Sequence, residues 1–236
     1  YFYTIGHRLG IDVIAEYAKR FGLGRPTRLG LSREKNGLIP TTQWKLLNKK
    51  EPWQLGETIS ASIGQGYNLV TPIQQAIMMA AVANGGTLLK PYLVKRIEGP
   101  DGQVRKEYFP EITGQIGVNP EHLEQVRMAL RGVVNEPRGT GQKSRMKNII
   151  VSGKTGTAQV VRMKSNEELE KNEIIPFRYR DHAWFVAFAP YERPEIAVAI
   201  IVEHGGHGGV TAGPIARKIF KKYFKLYPPP PSAKTF

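Results

Sequence analysis

The sequence predicts an α+β fold with an antiparallel sheet, and three features predict it. Helical patterns gather ahead of the strands rather than alternating with them. The strands that follow are joined by turns too short for a crossover, and a single amphipathic helix closes the pattern. With 236 residues, 41% of them hydrophobic, the chain has enough apolar surface to bury a core and does not have the composition of a disordered polymer.

The elements follow in order. Tyr1, Phe2, Ile5, Leu9 and Val13 fall at helical spacing with no capping residue ahead of them. The expectation is a chain that starts inside a helix and is a piece of a longer protein. Residues 11–24 continue as helix, with Asp12 as N-cap and Gly22 and Gly24 as the stop. A polar loop leads to TTQWKLLN (41–48), which supplies one or two helical turns, and residues 49–70 are expected to be irregular around SIGQG (62–66). Thr71-Pro72-Ile73-Gln74 is a stronger signal. It puts a hydroxyl at N-cap, proline at the first helical position and Gln three residues after the cap, where its side chain can return to the cap's N–H. That helix is apolar nearly all round, so it should be buried, and Gly85-Gly86 ends it.

TLLKPYLVKRI (87–97) and QVRKEYF (103–109) flank Gly99-Pro100-Asp101-Gly102 and predict a β-hairpin. Asn119-Pro120 opens another helix. A glycine-rich polar stretch (138–147) then leads into the strand NIIVSGKTGTAQVV. Residues 162–181 form a charged excursion. HAWFVAFAP (182–190) and EIAVAIIVEH (195–204) are strands, and PIARKIFKKYF after Gly213 is the last helix. With no internal repeat and no clear linker, one domain over 1–227 and a proline-rich tail over 228–236 are expected.

Composition bounds the chemistry. There is no cysteine, which excludes disulfides, thiol chemistry and zinc sites built on Cys. Lys and Arg number 34 against 20 Asp and Glu, a net +14 that attracts anionic partners without choosing among them; a solvated basic surface accounts for it equally well. No apolar run approaches the length of a membrane span, and no signal-peptide pattern is present.

The candidate chemistry lies at Lys154-Thr155-Gly156-Thr157. Gly153-Lys154-Thr155 suggests a phosphate-binding loop, but that motif needs a glycine where Asn148 stands, and IIVS between them is a strand and no flexible cradle. On a strand with a free edge the same residues suit a peptide ending in a carboxylate. The backbone can pair with an extended peptide, Gly156 lets it come close, Thr155 and Thr157 offer hydroxyls, and Lys154 offers a cation. The Thr157 N–H could also face a developing oxyanion. An ordinary strand start with a solvated lysine fits KTG alone.

Context narrows this. K-T-G is the third element of the penicillin-reactive serine acyltransferases, after S-x-x-K and an S-x-N or S-x-D string. SIGQGYNLVTPIQQA (62–76), GKTGTAQV (153–160), RDHAWFVAFAP (180–190) and EHGGHGG (203–209), in this order, resemble the C-terminal part of a class B penicillin-binding protein. The resemblance covers nearly the whole chain apart from the proline tail. It implies an antiparallel sheet flanked by helices beside a mostly helical subdomain. It also implies a peptidoglycan D,D-transpeptidase, in which a serine attacks the penultimate D-Ala carbonyl of a stem peptide, releases the terminal D-Ala and passes the acyl group to an amine on another strand. Lys154 would orient the proton network, Thr155 and Thr157 would hold the terminal carboxylate beside Gly156, and the Thr157 N–H would supply half the oxyanion hole. The implied partners are stem peptides, β-lactams, the N-terminal part of the same protein and cell-wall elongation proteins. No cofactor, metal or nucleic acid is implied. The implied location is the extracytoplasmic face of the cytoplasmic membrane, with an anchor in a missing N-terminal segment.

The nucleophile is the difficulty. Ser32-Arg33-Glu34-Lys35 matches S-x-x-K as a string, but it lies in a charged stretch between Gly30 and Gly37 with no apolar face, whereas the pair must sit one helical turn apart on a rigid helix. No Ser-x-Asn or Ser-x-Asp occurs. Both motifs are therefore expected on residues absent from this sequence, and this chain alone is expected to be inactive. Two other readings stay open: a non-catalytic binding fragment of the same fold, and a basic nucleic-acid module, which lacks a docking element. His204 and His207, separated by two glycines, argue for a turn rather than a metal site. His182 is expected in a structural hydrogen bond, and Trp184, Phe185 and Phe188 in the core. The resemblance places Gln65 near the cleft, although a structural turn fits it equally well.

Overall fold

The computed structural model describes residues 1–160 and 176–229. The expected charged excursion falls largely, and the proline tail mostly, outside the described residues. The chain forms two compact units, residues 1–125 and 126–236.

In the N-terminal unit, α1 (Phe2–Arg20) is two helical runs meeting at Gly10, whose φ of 75° and ψ of 161° are not helical. Asp12 does not cap its own helix. Its carboxylate accepts from the N–H (2.9 Å) and hydroxyl (2.7 Å) of Thr42, so it fixes the start of α2 (Thr42–Lys49) instead. Sequence proximity pointed to the wrong helix end. Thr41 caps α2 through its hydroxyl, which accepts from the Trp44 N–H at 2.9 Å.

The stretch expected to be irregular contains a helix, α3 (Leu55–Ala61). Its start is made by Glu57, whose carboxylate accepts from the Gln54 N–H at 2.7 Å and from Lys45 Nζ at 2.5 Å. Lys45 is only 2% exposed. Burial alone would push Glu57 up, but the bonds from Lys45, the Gln54 N–H and Tyr67 outweigh it and hold the carboxyl below its ordinary value. The same bond to Glu57 raises Lys45. α4 (Pro72–Ala83) starts as predicted: Thr71 accepts from the Gln74 N–H, and the Gln74 side chain accepts from the Thr71 N–H. Gln74 also donates to the carbonyls of Arg25 (2.7 Å) and Asn36 (2.8 Å), tying down the loop that precedes α2.

The predicted hairpin exists, but with a different first strand. β2 (Arg96–Glu98) pairs with β3 (Val104–Glu107) across the Gly99–Gly102 turn. β1 (Thr87–Lys90) leaves this hairpin and pairs with β4 (Glu111–Gln115), a strand missed in the sequence because four of its five residues are exposed and show no apolar alternation.

α5 (Pro120–Asn135) leads into the C-terminal unit. There β5 (Ser152–Ala158), β6 (His182–Ala189) and β7 (Ile196–Val202) form an antiparallel sheet in the order β5-β6-β7, covered by α6 (Gly208–Leu226). Ala183, Phe185 and Ala187 of β6 pack with Val134, Val151, Ile200, Ala212, Ala216, Phe220 and Phe224 in one core. Phe185 and Phe188 are fully buried as expected; Trp184 is half-buried, because the pleat turns it to the face opposite Phe185. α6 begins six residues before the predicted start, at glycines that make poor helix formers but fit where a side chain could not.

Candidate active site

Lys154, Thr155, Gly156 and Thr157 occupy the middle of β5, an edge of the three-stranded sheet among the described residues. Their partners on β6 are Val186, Phe185, Trp184 and Ala183 in turn. The pleat therefore sends Thr155 and Thr157 to the face that carries Phe185, and Lys154 to the other. Lys154 is exposed, and its Nζ donates to the Thr155 carbonyl at 2.9 Å. The Thr155 hydroxyl shares a 2.9 Å hydrogen bond with the hydroxyl of Thr140.

The glycines around the strand are fixed by packing. A Cβ on Gly153 would lie 2.7 Å from the Val186 carbonyl and 2.9 Å from the Phe185 ring, so the residue before Lys154 has no room for a side chain. One on Gly156 would lie 3.1 Å from the Trp184 Cβ. At the start of α6, a Cβ on Gly208 would lie 2.0 Å from the Trp184 carbonyl oxygen and 2.6 Å from that of Gly156. On Gly209 it would lie 2.1 Å from the Thr140 carbonyl oxygen and 3.2 Å from Thr155 Cγ2. Thr140 and the Gly208-Gly209 pair were not singled out from the sequence. The only signals were the glycine-rich stretch 138–147 and the glycines of EHGGHGG. They let α6 and the 138–141 loop close onto the strand, which fixes where Thr155 stands.

His182 is structural, as expected: its Nδ1 accepts from the His204 N–H at 2.9 Å, and the two rings meet edge to face at 4.8 Å. Gln65 lies in a turn where Asn68 Nδ2 donates to the carbonyls of Ala61 and Gln65, both at 3.1 Å. Among the described residues no three His, Asp or Glu side chains are placed to hold a metal ion.

The S-x-x-K string at Ser32 lies in an exposed turn with Arg33 at a φ of 63°. Glu34, at its centre, accepts from the Thr27 hydroxyl (2.5 Å), the Thr27 N–H (2.6 Å) and the Arg28 N–H (3.1 Å). These bonds, the Thr27 hydroxyl above all, hold its carboxyl below the ordinary value, and they make the segment a loop staple. The sequence reading overlooked a second such string, Ser144-Arg145-Met146-Lys147. Ser144 ends a short 3-10 turn, is fully buried, and donates to the Gly141 carbonyl at 2.7 Å; Arg145 after it is extended, so Ser144 and Lys147 do not share a helical turn.

Comparison with known proteins gives the family. Residues 1–221 match the penicillin binding protein transpeptidase domain. The chain is 40% identical over 227 residues to the peptidoglycan D,D-transpeptidase MrdA of Salmonella typhimurium, covering 95% of this chain and 36% of that protein. It is 38% identical over 231 residues to MrdA of Haemophilus influenzae, covering 94% and 34%. Among solved structures it resembles Pseudomonas aeruginosa PBP2 in complex with WCK 5153 (TM-score 0.77, 36% identity, 95% of this chain and 44% of that one). It also resembles Helicobacter pylori PBP2 in complex with MreC (TM-score 0.78, 30% identity, 96% and 38%). The chain belongs to the penicillin-binding protein transpeptidase family. Within it, the similarity is to penicillin-binding protein 2 enzymes, and the chain spans about a third of the length of these curated relatives.

Proposed function

We propose that this chain supplies the substrate-binding edge strand of a peptidoglycan D,D-transpeptidase that β-lactams inhibit. The carrying observation is the placement of Lys154-Thr155-Gly156-Thr157 on an edge strand backed by α6. An extended stem peptide pairs with that edge through its backbone. Gly156 leaves room for it, and the hydroxyls of Thr155 and Thr157 take its terminal carboxylate. Lys154 holds positive potential over the proton network, and the Thr157 N–H polarises the scissile carbonyl as half of the oxyanion hole. The serine nucleophile comes from outside these 236 residues, because neither S-x-x-K string lies along a helix. The reaction then runs through a serine acyl-enzyme, with D-Ala as leaving group and an amine on a neighbouring strand as acceptor. Its setting is the extracytoplasmic face of the cytoplasmic membrane, with elongation partners of the kind seen in the Helicobacter pylori complex.

Fluorescent-penicillin labelling on a denaturing gel tests this. The 236-residue chain should take up no label alone. With the preceding segment of its parent present, label should appear on that segment, and Lys154→Ala should slow it at least about a hundredfold, the size expected for a preorganised electrostatic contact. Label on the 236-residue chain itself, abolished by Ser32→Ala or Ser144→Ala, would overturn the assignment.

A further inference from the structure

We infer that the C-terminal unit carries a second binding site, separate from the edge strand, for the phosphate headgroups of an anionic phospholipid surface. A cavity of about 900 Å³ lies between the 143–149 loop and α6. Six cations line it: Lys143, Lys147, Arg217, Lys218, Lys221 and Lys225. Among the described residues no acidic side chain lines it. Pro214, Lys218, Lys221 and Lys225 follow at steps of four, three and four, so they share one face of α6.

Two features separate this from a scattered basic surface. First, the cations are uncompensated among the described residues. Neither α6 nor residues 141–150 contain an Asp or Glu, and among the described residues none of the six forms an ion pair. Like charges at helical spacing repel, and the helix C-terminus favours a cation only in the last turn, which explains Lys225 but not Arg217, Lys218 or Lys221. An external anion relieves that repulsion. Second, the cavity has apolar surface from Met146, Ile149, Pro214 and the buried Phe224. A soluble polyanion has no use for it. An amphiphile does: phosphates meet the lysines, which reach outward on long apolar stems, while glycerol and upper acyl carbons cover the methionine, isoleucine and proline. A nucleic acid fits less well, because the one aromatic residue in the lining is buried and offers no stacking face.

Sedimentation of the 236-residue chain with phosphatidylcholine vesicles, with and without phosphatidylglycerol, tests the inference at physiological salt. Binding should require phosphatidylglycerol. Lys147→Glu/Lys218→Glu/Lys221→Glu should weaken it at least tenfold, and the milder Gln triple variant severalfold. Lys50→Glu/Lys95→Glu/Lys106→Glu, with the same change of net charge at exposed positions of the N-terminal unit, should stay within about twofold. Melting curves confirm that each variant is folded. Equal losses in both charge-reversal variants would reduce the effect to bulk charge and overturn the site. So would equal sedimentation with both vesicle types. If millimolar inorganic phosphate raises the melting temperature of the parent chain and not of the cavity variant, while vesicles do not bind, the ligand is soluble phosphate and the lipid assignment fails.

Discussion

In the N-terminal unit a lysine is buried against a glutamate, and capping side chains reach across loops to hold helix ends. In the C-terminal unit the deepest groups are Phe185, Phe188 and Phe220, and the closest approaches are made by glycines. The first arrangement is polar and directional, so losing one partner strands the other in a place with little water. The second relies on shape, so an added atom does more harm than a lost hydrogen bond. The tryptophans report the two units separately, with Trp44 and Trp53 in the first and Trp184 in the second.

The largest effect should come from adding one methyl to the C-terminal unit. Gly208→Ala would place a carbon 2.0 Å from the Trp184 carbonyl oxygen. Because the obstacle is backbone, the expected destabilisation is about 3 kcal/mol or more, read from Trp184 fluorescence in denaturant. A midpoint unchanged for Trp184 would break the contrast between the units.

Next in size is Lys45→Met. It leaves Glu57 half-buried without its cation, and the Trp44 and Trp53 signal should melt several degrees earlier while the Trp184 signal holds. A third, smaller effect is acid sensitivity. Glu57 and Glu34 both have folded pKa values below the ordinary 4.5, so their contribution is present above that value and is lost as pH falls through the folded values. Lys45 is raised, so its contribution is present below its ordinary 10.5 and fades only as pH climbs through the higher folded value. Melting followed from pH 6 to pH 3 should therefore show the N-terminal unit weakening first, and Glu34→Gln should flatten that slope. The smallest effect sharpens the comparison from the other side. The Ser152 hydroxyl is fully buried with no hydrogen-bond partner among the described residues. Ser152→Ala should fall within about 1 kcal/mol of the parent, on the stabilising side, by chemical denaturation.

What the sequence made legible follows the same division. The α4 start was readable because hydroxyl, proline and glutamine all act within four residues. β6 and β7 were readable because their apolar runs lie between turn residues. α3 was not, because seven residues are too few to show helical periodicity and Glu57, which holds the helix start, is itself anchored by Lys45 twelve residues away. Asp12 was assigned to the wrong helix for the same reason: its partner lies thirty residues away. At the candidate site, the four motif residues were legible as a string, and the strand edge that gives them a use was expected. Thr140, Gly208 and Gly209 were not, because what they contribute is room and contact across the fold, and a glycine's reason for being small is visible only in the neighbour it admits.

The Thr140–Thr155 hydroxyl pair carries one more consequence. Either oxygen can be the donor, so the pair has two proton arrangements on one set of heavy atoms. When Thr140 donates, the Thr155 hydrogen is turned away from Thr140 and can meet an incoming anion. When Thr155 donates inward, its lone pairs are offered instead. Switching needs only rotation about two C–O bonds, with no rotamer change and no strand movement. The edge strand can therefore change the polarity it presents on the timescale of hydroxyl rotation, and a donor already supported by a second hydroxyl is a stronger one.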